Sequence, residues 1–307
     1  MKRWMQHGFI IALGLTAVSA LPLAFHNEGR TTAVLQRKAA RFAAQEDFLV
    51  HRALCLNDGQ VVQDECKDEA QQALEEAYDL IDDQFDARLD VLGLIGFGRY
   101  DPQIVPAQFS PNITNTYSPL IVGRTLVYEQ VTAAGIEHIE VEVQNVIRTI
   151  DGVDCRQVHD FSTFNGVLEE DTLDWYAQNQ DGTVWYMGEL SQSLEDGLLD
   201  NLDGSWRVGK EGAKPGIQML AAPVVGQGYR QEYALGEAED MARIFALDQT
   251  ATVPAGVFQH CLVIDEWTPI APGLDHFERK YYAPGVGLVL TVHLGSGARE
   301  ELVAIMN

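Results

Sequence analysis

Asp174-Trp175-Tyr176-Ala177, running on to Gly182-Thr183-Val184-Trp185-Tyr186, is answered later in the chain by Lys280-Tyr281-Tyr282-Ala283, running on to Gly287-Leu288-Val289. The match extends outward from these stretches. Asp151-Gly152-Val153-x-Cys155 corresponds to Ala255-Gly256-Val257-Phe258-x-x-Cys261. Pro119-x-x-Val122-Gly123 with Tyr128-Glu129 corresponds to Pro223-x-Val225-Gly226 with Glu232. Cys155 to Ala177 and Cys261 to Ala283 both span 22 residues. A period near 104 residues exceeds the roughly 20–50 residues of a solenoid unit. It reads instead as a duplicated β-sheet half, two of which make one domain over 119–307.

Within that domain the apolar pattern has period two. Thr125–Tyr128, His138–Val143, Thr183–Tyr186, Cys261–Ile264, Gly287–Val292 and Glu300–Ile305 alternate or are β-branched, as strands do. Five or six strands per copy make a sheet of about ten, which must curl. The expected fold is therefore mainly β, a curved antiparallel half-barrel of two tandem copies. Glu237–Leu247, rich in Ala and Met, is the one helix-like stretch here. Upstream the period changes. Residues 31–54, rich in Ala, Arg and Gln with Phe42, Leu49 and Leu54 set among them, read as a helix, and 64–92 carries apolar residues at three- and four-residue steps, which predicts an amphipathic helix. Asn57-Asp58-Gly59 lies between them, so 31–98 reads as a helical hairpin. Pro102, Pro106 and Pro111 then make 99–118 a linker.

The chain opens with Met1-Lys2-Arg3, an apolar run from Phe9 to Ala20, and the small residues Ser19-Ala20. That is the layout of a secretory signal peptide, 1–20. The alternative is an uncleaved anchor, since Leu21–Phe25 stays apolar; Pro22 and the short core argue for cleavage and against stable membrane insertion. Loss of Lys2 and Arg3 would take the net charge from −24 to −26. Such acidity excludes nucleic acid as a partner, because phosphate binding needs clustered Lys and Arg. Four cysteines in an exported chain read as two disulfides. Cys55 and Cys66 pair most simply with each other. Cys155 and Cys261 hold equivalent positions, and would meet if those positions lie near a pseudo-two-fold axis.

The two signatures, Asp174-Trp175-Tyr176-Ala177-Gln178 with Gly182-x-Val184-Trp185-Tyr186-x-Gly188-Glu189, and Tyr281-Tyr282-Ala283-Pro284-Gly285-Val286-Gly287-Leu288-Val289, carry a resemblance. Together with Arg99–Pro102 and Gly212–Ile217, they make the chain resemble a large group of uncharacterised exported bacterial proteins. The second signature is also similar to one in small secreted and lipoprotein domains with an open β-barrel, of the periplasmic lipoprotein-carrier shape. The resemblance implies a fold rather than an activity. Members often carry several cysteines in the helical segment, where this chain has Cys55 and Cys66 alone.

No motif requires a cofactor or a metal. Asp79, Asp82, Asp83, Asp86 and Asp90 fall at helical spacing and read as a solvated face that could attract cations. Asn179-x-Asp181-Gly182 and Asn201-x-Asp203-Gly204 lack the first and twelfth ligands of a calcium loop. Ser191 or Ser205 with His159 and Asp160 would be needed for a hydrolase of unknown type. Glu170, Asp174 and Glu278 would be needed for glycoside chemistry. Neither set is supported by local sequence. The matched aromatics are the stronger signal. Trp175, Tyr176, Trp185, Tyr281 and Tyr282 are the candidate ligand-binding residues, and only one ring of each adjacent pair can face a curved sheet's interior. The expected role is an exported, non-enzymatic protein that binds an apolar or amphipathic small molecule there. The alternative is a structural or interaction protein of the envelope or matrix.

Overall fold

The computed structural model describes residues 27–59 and 62–307. The expected signal peptide, 1–20, lies outside the described residues. Two helices come first, α1 (Glu28–Asn57) and α2 (Gln63–Ile95). Their pairing follows from side chains that meet across the hairpin. Asp82 of α2 accepts hydrogen bonds from Arg37 and Arg41 of α1, at 2.8 Å each, and Cys55 is bonded to Cys66 at the far end. Asp82 thus faces α1, while Asp79, Asp83, Asp86 and Asp90 are exposed.

Fifteen strands follow among the described residues. They are β1 (Phe109–Ser110), β2 (Thr125–Val131), β3 (Ile136–Ile150), β4 (Val153–Phe164), β5 (Val167–Asn179), β6 (Val184–Glu195), β7 (Leu198–Asn201) and β8 (Trp206–Arg207). The series continues with β9 (Gly216–Met219), β10 (Gly228–Arg230), β11 (Met241–Val253), β12 (Gly256–Trp267), β13 (Phe277–Ala283), β14 (Gly287–His293) and β15 (Arg299–Met306). All pairings are antiparallel, in the order β10-β11-β12-β13-β14-β15-β2-β3-β4-β5-β6-β7, with β1 on β5 and β8 and β9 on β6. Each segment of the repeat is a meander with the same strand order. Both carry a register shift at the same hairpin, between Asp174 and Tyr176 on β5 and between Tyr281 and Tyr282 on β13.

The ladder does not close into a barrel, but its ends pack together. One core cluster joins Val184 and Met219 of the β6–β9 end to Tyr229, Ala242 and Ile244 of the β10–β11 end. An isolated bridge, Lys214 to Tyr233, spans the same seam. Gly216 permits that approach: a Cβ there would lie 1.7 Å from the Gln231 carbonyl oxygen. Residues of the expected linker also contribute to the sheet. Ile113 is buried, β1 pairs with β5, and the Asn115 amide donates to the carbonyls of Gly182 and Leu220.

Two expectations are corrected. Glu237–Leu247 is not helical. Residues from Met241 onward form β11, where Ala242 and Ile244 are buried between β10 and β12, so sheet pairing overrides the helix propensity of Ala and Met. Cys155 and Cys261 do not bond to each other; both are free and buried. They lie on β4 and β12, six strands apart in the ladder. Cys155 packs with Trp175 and Ala177, Cys261 with Val289 and Leu302.

Candidate functional site

Curling the sheet encloses a cavity of about 280 Å³. Strand alternation decides what enters it. On β4, Val158 and Asp160 line the cavity; on β5, Asp174 and Tyr176 do. The equivalent strands of the second segment send in Glu266 from β12, and Lys280 and Tyr282 from β13. The offset that takes Cys155 to Cys261 takes Asp160 to Glu266, Asp174 to Lys280 and Tyr176 to Tyr282. The cavity is thus faced by the same three positions of both segments.

Of the five aromatic candidates, Tyr176 and Tyr282 line this cavity. The other three pack elsewhere. Trp175 is buried on the opposite face, its indole donating to Gln157 Oε1 at 2.9 Å with the Arg148 guanidinium 4.3 Å above the ring. Trp185 meets Phe109 edge-on at 6.3 Å, and Tyr281 packs against the Cys261 cluster. In each adjacent pair, the second ring faces in.

The cavity lining has two kinds of residue. Leu126 of β2, Val141 and Val143 of β3 and Leu288 of β14 are apolar. Carboxyl groups adjoin them, Asp160 pairing with Val141 across β3 and β4 and Asp174 with Val158 across β4 and β5. Tyr186, stacked on Tyr176 with ring centres 4.6 Å apart, joins the carboxyls of Asp174 and Glu189 through its hydroxyl, 2.9 Å from Glu189. A phenol has one proton to donate, so holding both carboxyls requires one of them to be protonated. The electrostatics agree. Burial lifts Asp174 to about 7, against the opposing hydrogen bond from Tyr186. Burial and the neighbouring Asp174 lift Glu189 to about 8. Glu232 is raised well above the ordinary carboxylate range by burial and by Glu189. Asp160 is raised likewise by burial and by Asp174; no hydrogen bond or ion pair joins its carboxyl to another described side chain.

Lys280 answers part of this charge. Its Nζ is 2.8 Å from Glu266 and 3.1 Å from Glu278. Burial works against its charge, yet those two carboxylates hold it well above the ordinary lysine range. Glu278 is in turn depressed by Lys280 and by His293, whose Nδ1 lies 3.1 Å away. Tyr282 donates to Glu266 at 3.1 Å.

The Ser191 or Ser205, His159 and Asp160 grouping is not assembled. Ser205 donates to the Ser191 backbone carbonyl and Ser191 to Glu170, while His159 bonds Asp171. His159 and Asp160 are neighbours on β4 and face opposite ways. Glu170 accepts hydrogen bonds from Thr172 and Ser191 and adds to the negative field that raises Asp174, while Glu278 is held by Lys280 and His293. The turn residues Asp181 and Asn201 cap local backbone N–H groups. Among the described residues, the sole grouping of potential metal-ligand atoms is His51 with Cys55 and Cys66, and the disulfide takes both sulfurs. Asp160, Glu266 and Lys280 carry no motif that marks them as cavity residues; the one sequence signal is the repeat offset, which pairs Asp160 with Glu266 and Asp174 with Lys280.

No protein-family model matches this chain, and no curated protein or solved structure matches it.

Proposed function

We propose that this protein is a non-catalytic binding module that holds an amphipathic small molecule inside its curled sheet. The ligand's apolar body lies along Leu126, Val143 and Leu288, and its cationic or hydrogen-bond-donating head faces Asp160 and Asp174. The observation that carries this reading is the mixed lining of the cavity, apolar side chains beside buried carboxyls. Covering apolar area gains about 25 cal/mol per Å², and the polar lining holds more acids than bases. Lys280 is already engaged by Glu266 and Glu278, so Asp160 is left for a ligand. At about 280 Å³ the cavity sits near the lower end of ligand pockets, roughly 300–1,000 Å³, which favours a short-chain amphiphile.

The bonded Cys55–Cys66 pair points to an oxidising, extracytoplasmic setting. Among the described residues no helix is long and apolar enough to cross a membrane. Export by the N-terminal segment completes the reading as a soluble carrier or solute-binding protein.

Calorimetric titration of the purified protein with octylamine, octanol and octanoate at pH 8 tests it. The expected order of affinity is amine, then alcohol, then acid. Val143→Trp, which fills the cavity beside the apolar residues, should abolish binding of all three while leaving the circular dichroism spectrum unchanged. Failure of all three to bind the wild type would retire the proposal and leave the sheet as a structural element.

A further inference from the structure

Arg230 ends β10, the strand on which the helical hairpin rests. A Cβ on Gly228 of that strand would lie 2.3 Å from Leu94 Cδ2, so α2 packs directly against it. The Arg230 guanidinium lies over two rings, 5.0 Å from the centre of Tyr233 and 5.6 Å from that of Tyr100. It borders a cavity of about 140 Å³ between the hairpin and the sheet, where α1 contributes Thr32 and Gln36 and α2 contributes Arg88 and Leu92. The charge there runs against that of the chain. Arg88, Arg99 and Arg230 line the cavity with one carboxylate, Glu239, in a protein with 45 Asp and Glu against 21 Lys and Arg. That carboxylate is already engaged. Arg88 holds it through Nε at 2.9 Å and Nη2 at 3.0 Å, and the Gln36 amide and the Gly236 N–H donate to it as well. Arg99 is 71% exposed and faces Asp101 at 3.5 Å. Arg230 has no carboxylate of its own. Its Nε is buried without a hydrogen-bond partner, and its one polar contact among the described residues runs from Nη1 to Met241 Sδ at 3.9 Å. Residues 1–26 and Gln60-Val61 contain no Asp or Glu, so they offer no side-chain carboxylate either. Burial pulls the Arg230 pKa down, and the nearby Glu239 does not restore it. A guanidinium nevertheless keeps its proton in proteins, which leaves a buried positive charge that no side chain of the protein answers.

We propose that Arg230 anchors an anion site at the junction of hairpin and sheet, which takes a small oxyanion, either a phosphate or the carboxylate of a short organic acid. The donor chemistry sets the class. A guanidinium is planar and weakly hydrated, and its N–H groups match the oxygens of carboxylate and phosphate. The two tyrosine faces favour a cation between them, and so hold the guanidinium in place for its ligand. Volume sets the size. About 140 Å³ is well below the roughly 300 Å³ at which pockets for larger ligands begin. This site is separate from the cavity inside the curled sheet. No residue lines both, and the two have opposite charge preferences. The bound oxyanion sits among residues of α1, α2 and β10, so it joins the hairpin to the sheet beside the Arg88–Glu239 pair. A ligand that needs both parts in place binds only the folded state and stabilises it by mass action.

Thermal melting and calorimetric titration of the purified protein, with sodium phosphate or sodium acetate replacing sodium chloride at constant ionic strength, read the proposal directly. The expected result is a melting temperature that rises and saturates with at least one of the two oxyanions. Phosphate acting alone names a phosphate as the ligand class, acetate acting alone names a carboxylate, and both acting supports the shared chemistry. Arg230→Met should bind the same oxyanion at least about tenfold more weakly, the scale of a hydrogen bond to a charged group. In chloride it should melt no lower than the wild type, because it removes a buried charge that lacks a partner. Hydrogen exchange of the wild type reads the site without any substitution: the oxyanion should slow amides within 29–36 and 233–239. No saturable rise with either oxyanion, an equal rise in Arg230→Met, or slowed exchange confined to other parts of the chain would overturn the proposal.

Discussion

The two segments of the sheet agree in what supports the chain and differ in what faces the cavity. Both run as a meander, both shift register at the hairpin after the paired aromatics, and both put a tyrosine inward, Tyr176 in one and Tyr282 in the other. At the next inward position they part. Asp174 faces the cavity from β5, and Lys280 from β13. The first is held by Tyr186 and shares a proton with its surroundings, while the second is a fully charged group between two carboxylates. The bulge differs in detail too. Gly188 on β6 has a φ of 137°, and a Cβ there would lie 2.5 Å from the Trp206 carbonyl oxygen, because β8 pairs there with Arg207 opposite it. The counterpart on β14 is Leu290, a buried side chain paired with Glu301 of β15. A shared scaffold thus tolerates opposite charges at one position, provided each charge finds its own neighbours.

The largest effect expected from this contrast is at Lys280. Lys280→Met strips the partner from buried Glu266 and from Glu278, and removing one member of a buried pair costs about 3–5 kcal/mol. Asp174→Asn at the matched position retains a hydrogen-bonding group for Tyr186 and removes a costly charge, so it should be neutral or stabilising at pH 8. Urea denaturation of both variants measures the difference. Equal costs would mean that the two positions are electrostatically alike.

An intermediate effect is expected from pH. Asp174 and Glu189 rise to about 7 and about 8 in the folded state, mainly through burial, so the folded protein binds more protons than the unfolded chain across that range. Stability from these groups is complete below their unfolded values, near 4, and is lost as pH climbs to about 8. Glu278, which is depressed, acts in the opposite sense below pH 4. The melting temperature should therefore be higher at pH 5 than at pH 8.5, and Asp174→Asn should shrink that gap. A melting temperature that rises steadily from pH 5 to 8.5 would show that the cluster is ionised without cost.

The smallest effect concerns the matched cysteines. Cys155 and Cys261 are both fully buried, and burial pushes the Cys155 thiol up to about 12. Each Cys→Ala change should cost about 1 kcal/mol by leaving a small cavity. Thiol titration should find none reactive in the native protein, two after unfolding and four after reduction. Two reactive thiols without unfolding would place these residues at an opened seam.

Element type and the repeat were readable because they are local. Helical spacing over 64–92, alternation over His138–Val143, and the equal 22-residue intervals after Cys155 and Cys261 need no knowledge of distant neighbours. The Cys55–Cys66 bond was readable for the same reason, since a short loop brings its own ends together. The inward or outward sense of each aromatic pair was not. Trp175 and Tyr176 are equally apolar to a sequence, and which one faces the cavity depends on which side of the sheet β8 and the loops around it cover. The Cys155–Cys261 expectation failed because equivalent positions of the two segments lie six strands apart, and each thiol is buried in a different core cluster. Asp160, Asp174, Glu266 and Lys280 are separated by as many as 120 residues, and their shared cavity exists only once twelve strands curl and the β6–β9 end packs on β10 and β11. A carboxyl group's chemistry is set by burial and by its nearest charges, and both are properties of the closed sheet rather than of any segment within it.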